Sequence, residues 1–515
     1  MLAETPFASH LERPRGRGHT PPEAFTGAAG GAACGDLVRI SLALDSASPD
    51  GAIRDAGFDA SGCGAAIAAG SATVALLRDT PLLAAARLGA DEIAAELGGL
   101  HPAKRHAAEL AADALHRALG AAARAHAALS APRDGKPRAL VAMSGGVDSA
   151  VAALLTTREG EDVVGVTLEL WSDPENDGDR SCCSAQAVRG ARALAHSQGL
   201  PHLSIDLRAE FRAGVVDGWL ADHARGLTPN PCVRCNGNVR LDAMLELADR
   251  LGAARLVTGH YARVHRDGEG GEEHAHGKRI AGIAVEGTPP LLRMARDPIK
   301  DQSYVLAGLH PDSLARLRFP LGDMTKADVR EIAAQAGLAV ARKPDSQDLC
   351  FLAGTRLPRF LERHGAGQAS HGAQSPSAEG DIIDRAGRTL GRHRGARSYT
   401  VGQRHGLGLG GREPLYVLRT DPDANTVTVG SREDLLSRTV AVRDVTLRRA
   451  GARVDAIKIR SRGRRHPCRL ATDPGPGRHS RIEVELGETI ERTAPGQIAC
   501  LYAGDVILGY GTVAS

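Results

Sequence analysis

Aromatic side chains are scarce. Phe, Trp and Tyr together make up 3% of the 515 residues, which excludes a core built on stacked rings and leaves Leu, Val, Ile and Ala to fill it. No uninterrupted apolar run reaches the roughly 18 residues that a membrane-spanning helix needs, so no membrane association is expected. Residues 1–11 carry Glu4 and Pro6 and lack the apolar stretch of a secretion signal. Charge of one sign is missing too. The net charge is +3 and the pI near 8.4, so a nucleic-acid surface is neither demanded nor excluded and has to be local. The GxxxxGK[ST] spacing of the common ATPase loop is absent. The cysteines number nine, an odd count. With no leader, this favours a cytoplasmic protein whose reduced thiols serve as nucleophiles or ligands.

The length implies roughly two to four domains. The pattern divides into residues 1–125, a linker at 126–136 with Ser130, Pro132, Asp134 and Gly135, an α/β stretch at 137–360, a small domain at 361–436 and a strand-rich tail at 437–515. The chain is organised around 139–155. An apolar approach ending at Ala142 reads as a buried strand. Met143, Ser144, Gly145, Gly146, Val147, Asp148 and Ser149 turn the chain, and an apolar helix follows. A strand, a Gly-rich turn and a helix N-terminus make an anion cradle, because amide N–H groups and the helix dipole point at one place. Glycine allows close approach, and Ser144 and Ser149 offer hydroxyls.

Downstream, strands are predicted at 138–142, 162–167, 202–206 and 255–258, and helices at 149–158, 183–198, 208–224 and 240–250. That alternation is an open α/β sheet with ligands at the carboxyl ends of its strands. Leu168 ends the second strand, where an adenine can lie. Gly259 and His260 follow the strand at 255–258 and face the same crevice. The loop Asn230, Pro231, Cys232, Val233, Arg234, Cys235 is stiffened by proline and contains a CxxC. Three readings compete for it: half of a zinc site, helped by Cys182 and Cys183; a thioredoxin-like pair; or a partnership between Cys235 and the distant Cys350.

The SGGxDS run before a helix resembles the pyrophosphate loop of the N-type ATP pyrophosphatases, which cut ATP between the α and β phosphates and activate an oxygen as an adenylate. SGGVDS, NPCVRCN, GHY, KDQSY and DSQDLCF in this order resemble the tRNA-specific 2-thiouridylases, from about 137 to 515. That resemblance implies an enzyme using ATP and Mg²⁺ on the wobble uridine of tRNAs for Lys, Glu and Gln. It implies Cys350 as carrier of a persulfide delivered by a cysteine desulfurase or another donor protein, and Cys235 as its disulfide partner. It implies nucleotide contacts from residues 142–149, Leu168 and Gly259, and tRNA contacts from Asn230, Pro231, Cys232, His260, Lys300, Asp301, Gln302, Arg460, Ser461 and Gln497. Where some relatives carry an Asp three residues before the first catalytic cysteine, this chain has Cys232, and where an aromatic is common it has Ser461.

The front of the chain reads as strands at 38–44 and 53–58 and helices at 65–77, about 80–87, 90–97 and 102–125. ACGD, GCGAAIA and HPAKRHAAELAADAL resemble the NifU/IscU iron–sulfur scaffold domain over residues 5–122. The implied ligands of a cluster or zinc are Cys34, Asp36, Cys63 and His106. The family's third cysteine is replaced by Ala107. Three roles stay open: a weak metal site, a cluster with a substitute ligand, or a docking module for a sulfur donor. The fold class expected is therefore multidomain: an α+β scaffold-like domain, a pyrophosphatase-type α/β domain, a small central domain and an antiparallel β-barrel. The barrel rests on strands at 440–446, 453–459, 481–486 and 497–502, with a basic edge at Arg460, Arg462, Arg464 and Arg465. The Gly-rich basic run 400–408 lacks a βαβ context and reads as RNA-facing. Segments 263–282, with His274 and His276, and 364–378 read as surface loops. A rival function is an RNA-binding sulfur-relay adaptor, which tRNA-dependent AMP release would separate from the enzyme.

Overall fold

The computed structural model describes residues 5–30, 35–45, 47–125, 129, 132, 134–173, 184–266, 288–345, 349–352, 354–355, 357–365, 379–410 and 413–514. Cys34, Cys182, Cys183, His274, His276, residues 346–348 and nearly all of the loop expected at 364–378 lie outside them. The chain forms two units, one of residues 1–208, 243–260 and 316–350, the other of 209–242, 261–315 and 351–515.

The first unit holds two sheets. Phe25–Gly30, Leu37–Leu44 and Ile53–Ser61 pair antiparallel in that order. Leu317–Arg318, Arg255–Thr258, Arg138–Ala142, Asp162–Glu169 and His202–Asp206 form a five-stranded parallel sheet. The central strand Arg138–Ala142 is buried at every position, as a parallel strand covered on both faces must be.

The helix Arg105–Ala125 lies between these sheets and serves both. Its alanines and leucines, among them Ala108, Ala111, Leu115, Ala118, Leu119 and Ala122, are buried. On one side, a Cβ on Gly27 of the first strand would stand 2.1 Å from the Ala114 carbonyl. That contact explains why FTGAAG, too small to read as a strand, becomes one. On the other side, a Cβ on Gly120 would stand 1.9 Å from the Ser204 carbonyl of the edge strand His202–Asp206.

Polar groups fix the second contact. His116 Nδ1 lies 2.8 Å from the His202 carbonyl and its Nε2 2.8 Å from the Leu88 carbonyl, while Arg124 donates to the Asp206 carbonyl at 3.0 Å. Asp113 accepts from Arg189 and Arg192 at 2.6 Å each, and Arg117 grips both oxygens of Glu169 at 3.0 Å. Residues 1–125, read from the sequence as a domain of their own, thus share their last helix with the α/β sheet.

Arg208–Phe211, a π turn Arg212–Val216 and Asp217–Ala224 run on as one helix, which belongs to the second unit from residue 209 on. Phe211, Trp219, Phe351 and Phe360 cluster with ring separations of 5.0 to 6.1 Å. Glu379–Ile383, Thr389–Arg394, Tyr416–Asp421 and Thr426–Gly430 form a four-stranded sheet. In the tail, Leu436–Leu447 pairs with Gly477–Glu491 on one side and Val506–Val513 on the other, closing a barrel through His466–Leu470, Ala456–Lys458 and Ile498–Ala503. Closure removes the free edges, and Val442, Val445, Ile457, Val484, Leu501 and Leu508 fill the interior. Leu291–Met294 and Ala262–His265 extend the same sheet, so part of the segment expected as a loop from 263 is strand. No described helix is long and apolar enough to cross a membrane.

Candidate functional site

In the first unit the cradle forms as the sequence spacing requires. Gly145 turns at φ +70° and Gly146 caps the helix Val147–Arg158. Ala142, Met143 and Val147 are buried, so they offer backbone and shape only. Ser144 is exposed on the cradle. Ser149 does not offer its hydroxyl outward. The group is buried, donates to the Gly146 carbonyl at 3.1 Å and accepts from the Ser144 amide at 3.1 Å. It is spent on holding the turn. Gly259 is required by packing, because a Cβ there would stand 2.8 Å from the Asp148 carbonyl carbon and the Ser149 amide. Leu168 is buried at the end of its strand, next to the Glu169 that Arg117 holds. The His260 ring meets the Thr258 hydroxyl at 2.9 Å and stands edge-on to Phe319.

The loop sequence contains no lysine, yet two reach it from far along the chain. Lys326, at the start of the helix Lys326–Gln335, donates to both oxygens of Asp148 at 2.7 and 2.8 Å, and lies 2.9 Å from Asp345. Lys343 donates to the Gly145 carbonyl at 2.9 Å. These partners stand 178 and 198 residues from the loop, and no local pattern announces them. Lys326 and Lys343 add positive charge beside the cradle, as a phosphate site needs.

Three of the four donors named for the front of the chain also converge, and Cys34 lies outside the described residues. Asp36, Cys63 and His106 place one ligand atom each within 4.8 Å of one another. The Cys63 thiol meets Asp36 Oδ2 at 3.1 Å, and His106 Nε2 meets the same oxygen at 3.2 Å. The Cys63 amide donates to Asp36 Oδ1 at 2.9 Å and, with the thiol and His106, holds this carboxyl below the usual carboxylate range. Gly62 is required here, since its φ is +127° and a Cβ would fall 2.0 Å from Asp36. One sulfur, one nitrogen and one oxygen suit a single Zn²⁺. Ala107 is fully buried and offers no donor, so the thiolate set of a cluster is not assembled among the described residues.

The helix Arg105–Ala125 fixes where this triad stands. It runs alongside His202–Asp206 in the same direction, with His116 at the strand's start and Arg124 at its end. His106 therefore lies about 15 Å of helix axis before the strand begins. The cradle lies at the opposite, carboxyl edge of that sheet.

In the second unit the CxxC sits on the short helix Pro231–Cys235. Asn230 caps it, accepting from the Cys232 amide at 3.0 Å, and Pro231 takes the first helical position. Cys232 and Cys235 are half-buried thiols. The loop is braced from several sides. Asn236 donates to the Val305 carbonyl at 3.2 Å, and the Thr228 amide donates to Pro495 at 2.8 Å. Gln497, expected at the tRNA, donates to the Thr228 carbonyl at 2.6 Å and ties the barrel to this loop. Asp301, also expected at the tRNA, has a buried side chain. That side chain has no exposed surface, accepts from Ala295 and Ser303, pairs with the Lys458 ammonium at 3.6 Å, and so shapes its loop from inside. Gln302 exchanges hydrogen bonds with the Tyr261 backbone. Lys300 is half-buried, whereas Arg460, Ser461 and Arg462 are exposed on the barrel.

Phe351, covalently next to Cys350, packs on Phe211 and Trp219 at either end of the π turn. The CxxC helix lies against the same segment, where a Cβ on Gly218 would stand 2.0 Å from the Arg234 guanidinium. Cys350 itself is a half-buried thiol in a turn that closes the first unit's chain. Burial pushes the Cys468 thiol up to about 12 and the Cys500 thiol higher still, which removes both as nucleophiles at neutral pH.

Residues 5–127 match the NifU-like N terminal domain, 137–354 the tRNA methyl transferase HUP domain, 372–431 the tRNA methyl transferase PRC-barrel domain and 448–513 the aminomethyltransferase beta-barrel domain. The bifunctional protein NifU/MnmA of Rubrobacter xylanophilus is 40% identical, over 98% of this chain and 97% of its own. The tRNA-specific 2-thiouridylases MnmA of Geobacter metallireducens and Thermobifida fusca are 40% and 41% identical. Each aligns with 73% of this chain, over 97% and 95% of its own length.

Proposed function

The chain belongs to the family of bifunctional NifU/MnmA proteins, and from that premise we propose that it is an ATP-dependent tRNA sulfurtransferase that converts the C2 carbonyl of the wobble uridine to a thiocarbonyl. The isoacceptors are those for Lys, Glu and Gln. Uracil O2 attacks the α phosphorus of ATP, pyrophosphate leaves, and the base becomes an O-adenylate. Asp148, the carboxylate inside the loop, would hold a Mg²⁺ accompanying ATP, which would offset phosphate charge. The cradle's amides, Lys326 and Lys343 orient the phosphates, and Leu168 flanks the adenine.

Cys350 carries a persulfide supplied by a desulfurase or another donor protein. Its terminal sulfur attacks C2. The Cys235 thiolate attacks the inner sulfur of Cys350, the S–S bond of the persulfide breaks, and AMP departs with the former O2. The products are 2-thiouridine and a Cys235–Cys350 disulfide, which an external dithiol reduces by two electrons. The cap of Asn230 and the brace of Gln497 hold Cys235 on a rigid helix. We assign Asn230, Pro231, Cys232, His260, Lys300 and Gln302 as contacts to the tRNA substrate, and Arg460, Arg462 and Ser461 as contacts to its backbone.

Asp36, Cys63 and His106 would hold a single Zn²⁺ at the front of the chain. Its place at the far edge of the shared sheet favours direct loading of Cys350 from outside over transfer from Cys63. The observation that carries the whole reading is the pairing of the lysine-closed cradle with a CxxC helix and Cys350 in one chain of this family. The test is thiolation of tRNA transcript with ATP and a persulfide donor, followed by nucleoside mass spectrometry and AMP release. Cys350→Ser and Cys235→Ser are expected to abolish 2-thiouridine and spare tRNA binding. Full activity of Cys350→Ser overturns the persulfide role.

A further inference from the structure

We infer that Ile299 is the wedge that opens the base stack beside the target uridine; the inference rests on the function proposed above. Ile299 is 89% exposed, whereas the other exposed large hydrophobic side chains among the described residues, Leu11, Leu37, Leu390 and Leu436, range from 36% to 47%. The fold makes almost no use of this side chain. An apolar group left in water by the free protein gains its burial only against a partner.

The turn that carries it is firmly held. Asp297 is buried and accepts from the amides of Ile299 at 3.0 Å and Lys300 at 3.2 Å, and Pro298 stiffens the chain between them. Asp301 closes the base of the turn, accepting from the Ala295 amide at 3.1 Å and pairing with the buried Lys458 of the barrel. Gln302 then exchanges hydrogen bonds with the Tyr261 backbone. The same segment runs straight into the helix Ser303–Leu306, whose Val305 carbonyl accepts from Asn236, the residue after Cys235, at 3.2 Å. On the other side, a Cβ on Gly308 would stand 3.0 Å from the Val233 side chain of the CxxC helix. The exposed tip and the backbone of Cys235 are thus braced by one short piece of chain.

The surroundings of the tip select a nucleic acid as its partner. Arg296 and Lys300 flank it, and Arg460 and Arg462 are exposed on the barrel of the same unit. Cations of this kind meet phosphates, while an apolar side chain among them enters a base step. Chemistry at C2 of a base requires that base to leave its stack. The gap left behind closes again unless something fills it. Ile299 enters the gap and lies against the face of the neighbouring base, so that burial of its side chain offsets the lost stacking and the target stays extruded.

The experiment measures thiolation of tRNA transcript by the full chain, with kcat and KM separated, for the native protein, Ile299→Ser and Ile299→Leu. Ile299→Ser is expected to keep the native Tm and a KM for tRNA within about twofold, and to lose about tenfold or more in kcat, the rate equivalent of burying one isoleucine side chain. Ile299→Leu is expected to restore kcat. Should Ile299→Ser fail to fold, Ile299→Ala is read in its place. A tRNA with 2-aminopurine on the 3′ side of the target reports the stack directly. Its fluorescence is expected to rise when the native chain binds and to stay at the free level with saturating Ile299→Ser. Native kcat in the truncated variant overturns the wedge, and so does a change in KM alone, which marks a plain contact. A native chain that thiolates the reporter tRNA without a fluorescence rise overturns it too. So does a truncated variant that keeps the rise but loads Cys350 more slowly from a persulfide donor protein without tRNA, since the tip then belongs to a protein partner. A native chain that thiolates no tRNA removes the function reading and the wedge with it.

Discussion

Replacing Gly120 by alanine sets two effects of opposite sign against each other. In an ordinary helix interior the change stabilises by about 1 kcal/mol, because alanine loses less backbone entropy. Gly120 is not in an ordinary place. The added methyl carbon would fall 1.9 Å from the Ser204 carbonyl oxygen, and both atoms ride on backbone that cannot swing aside. The helix has to lift from the strand by about 1 Å, an overpacking that costs about 1–3 kcal/mol. His116 and Arg124 lie one turn to either side, and their bonds to the His202 and Asp206 carbonyls, now 2.8 and 3.0 Å, stretch out of range. Each lost bond costs about 1 kcal/mol.

The net expectation is a loss of about 2–4 kcal/mol from these terms. It is read as reduced amide-exchange protection along Arg105–Ala125 and His202–Asp206. Gly190, in the helix Ala185–Ser197, is the control: nothing lies within 4 Å of its Cβ position, so Gly190→Ala is expected to stabilise by about 0.5–1 kcal/mol. If Gly120→Ala is as stable as Gly190→Ala, the helix is not seated on that strand and the shared-helix argument fails.

Acid should loosen the aromatic cluster beside Cys350: burial against Trp219 pushes the His223 imidazole down to about 4, whereas an unfolded histidine titrates near ~6.5. Stability is full above that value and falls as the pH drops toward 4, by up to about 3 kcal/mol, and denaturant midpoints of His223→Gln should lack this part of the slope. Purified protein should hold about one zinc per chain, and Cys63→Ala or His106→Ala should reduce it to a trace in elemental analysis. The contacts that lower the Asp36 carboxyl contribute above the ordinary carboxylate range and fade as pH falls through the lowered value. Arg460→Ala and Arg462→Ala should each weaken tRNA binding, and each should reduce the salt slope of the binding constant by nearly 1; unchanged slopes would place the RNA elsewhere.

Local sequence determined what depends on local geometry. The buried run ending at Ala142, the glycines at 145 and 146 and the helix after them specify an anion cradle within a dozen residues. Asn230 and Pro231 specify the cap of the CxxC helix in the same way. The alternation of strands and helices from 138 to 258 gave the parallel sheet, since a strand buried on both faces reads as continuously apolar. Tertiary structure decided which polar side chains face outward and which distant charges meet. Ser149, Asp301 and Gln497 read as ligands in the sequence, and packing gives each a backbone partner that the sequence does not show. Lys326 and Lys343 look like surface residues, but packing brings both to the cradle. The strand Phe25–Gly30 and the role of Gly120 were hidden for the same reason: a glycine required by a neighbour's carbonyl carries no mark of that neighbour in its own segment. Hydrogen bonds and steric contact act over a few ångströms of space whatever the separation along the chain, so only the folded arrangement reveals them.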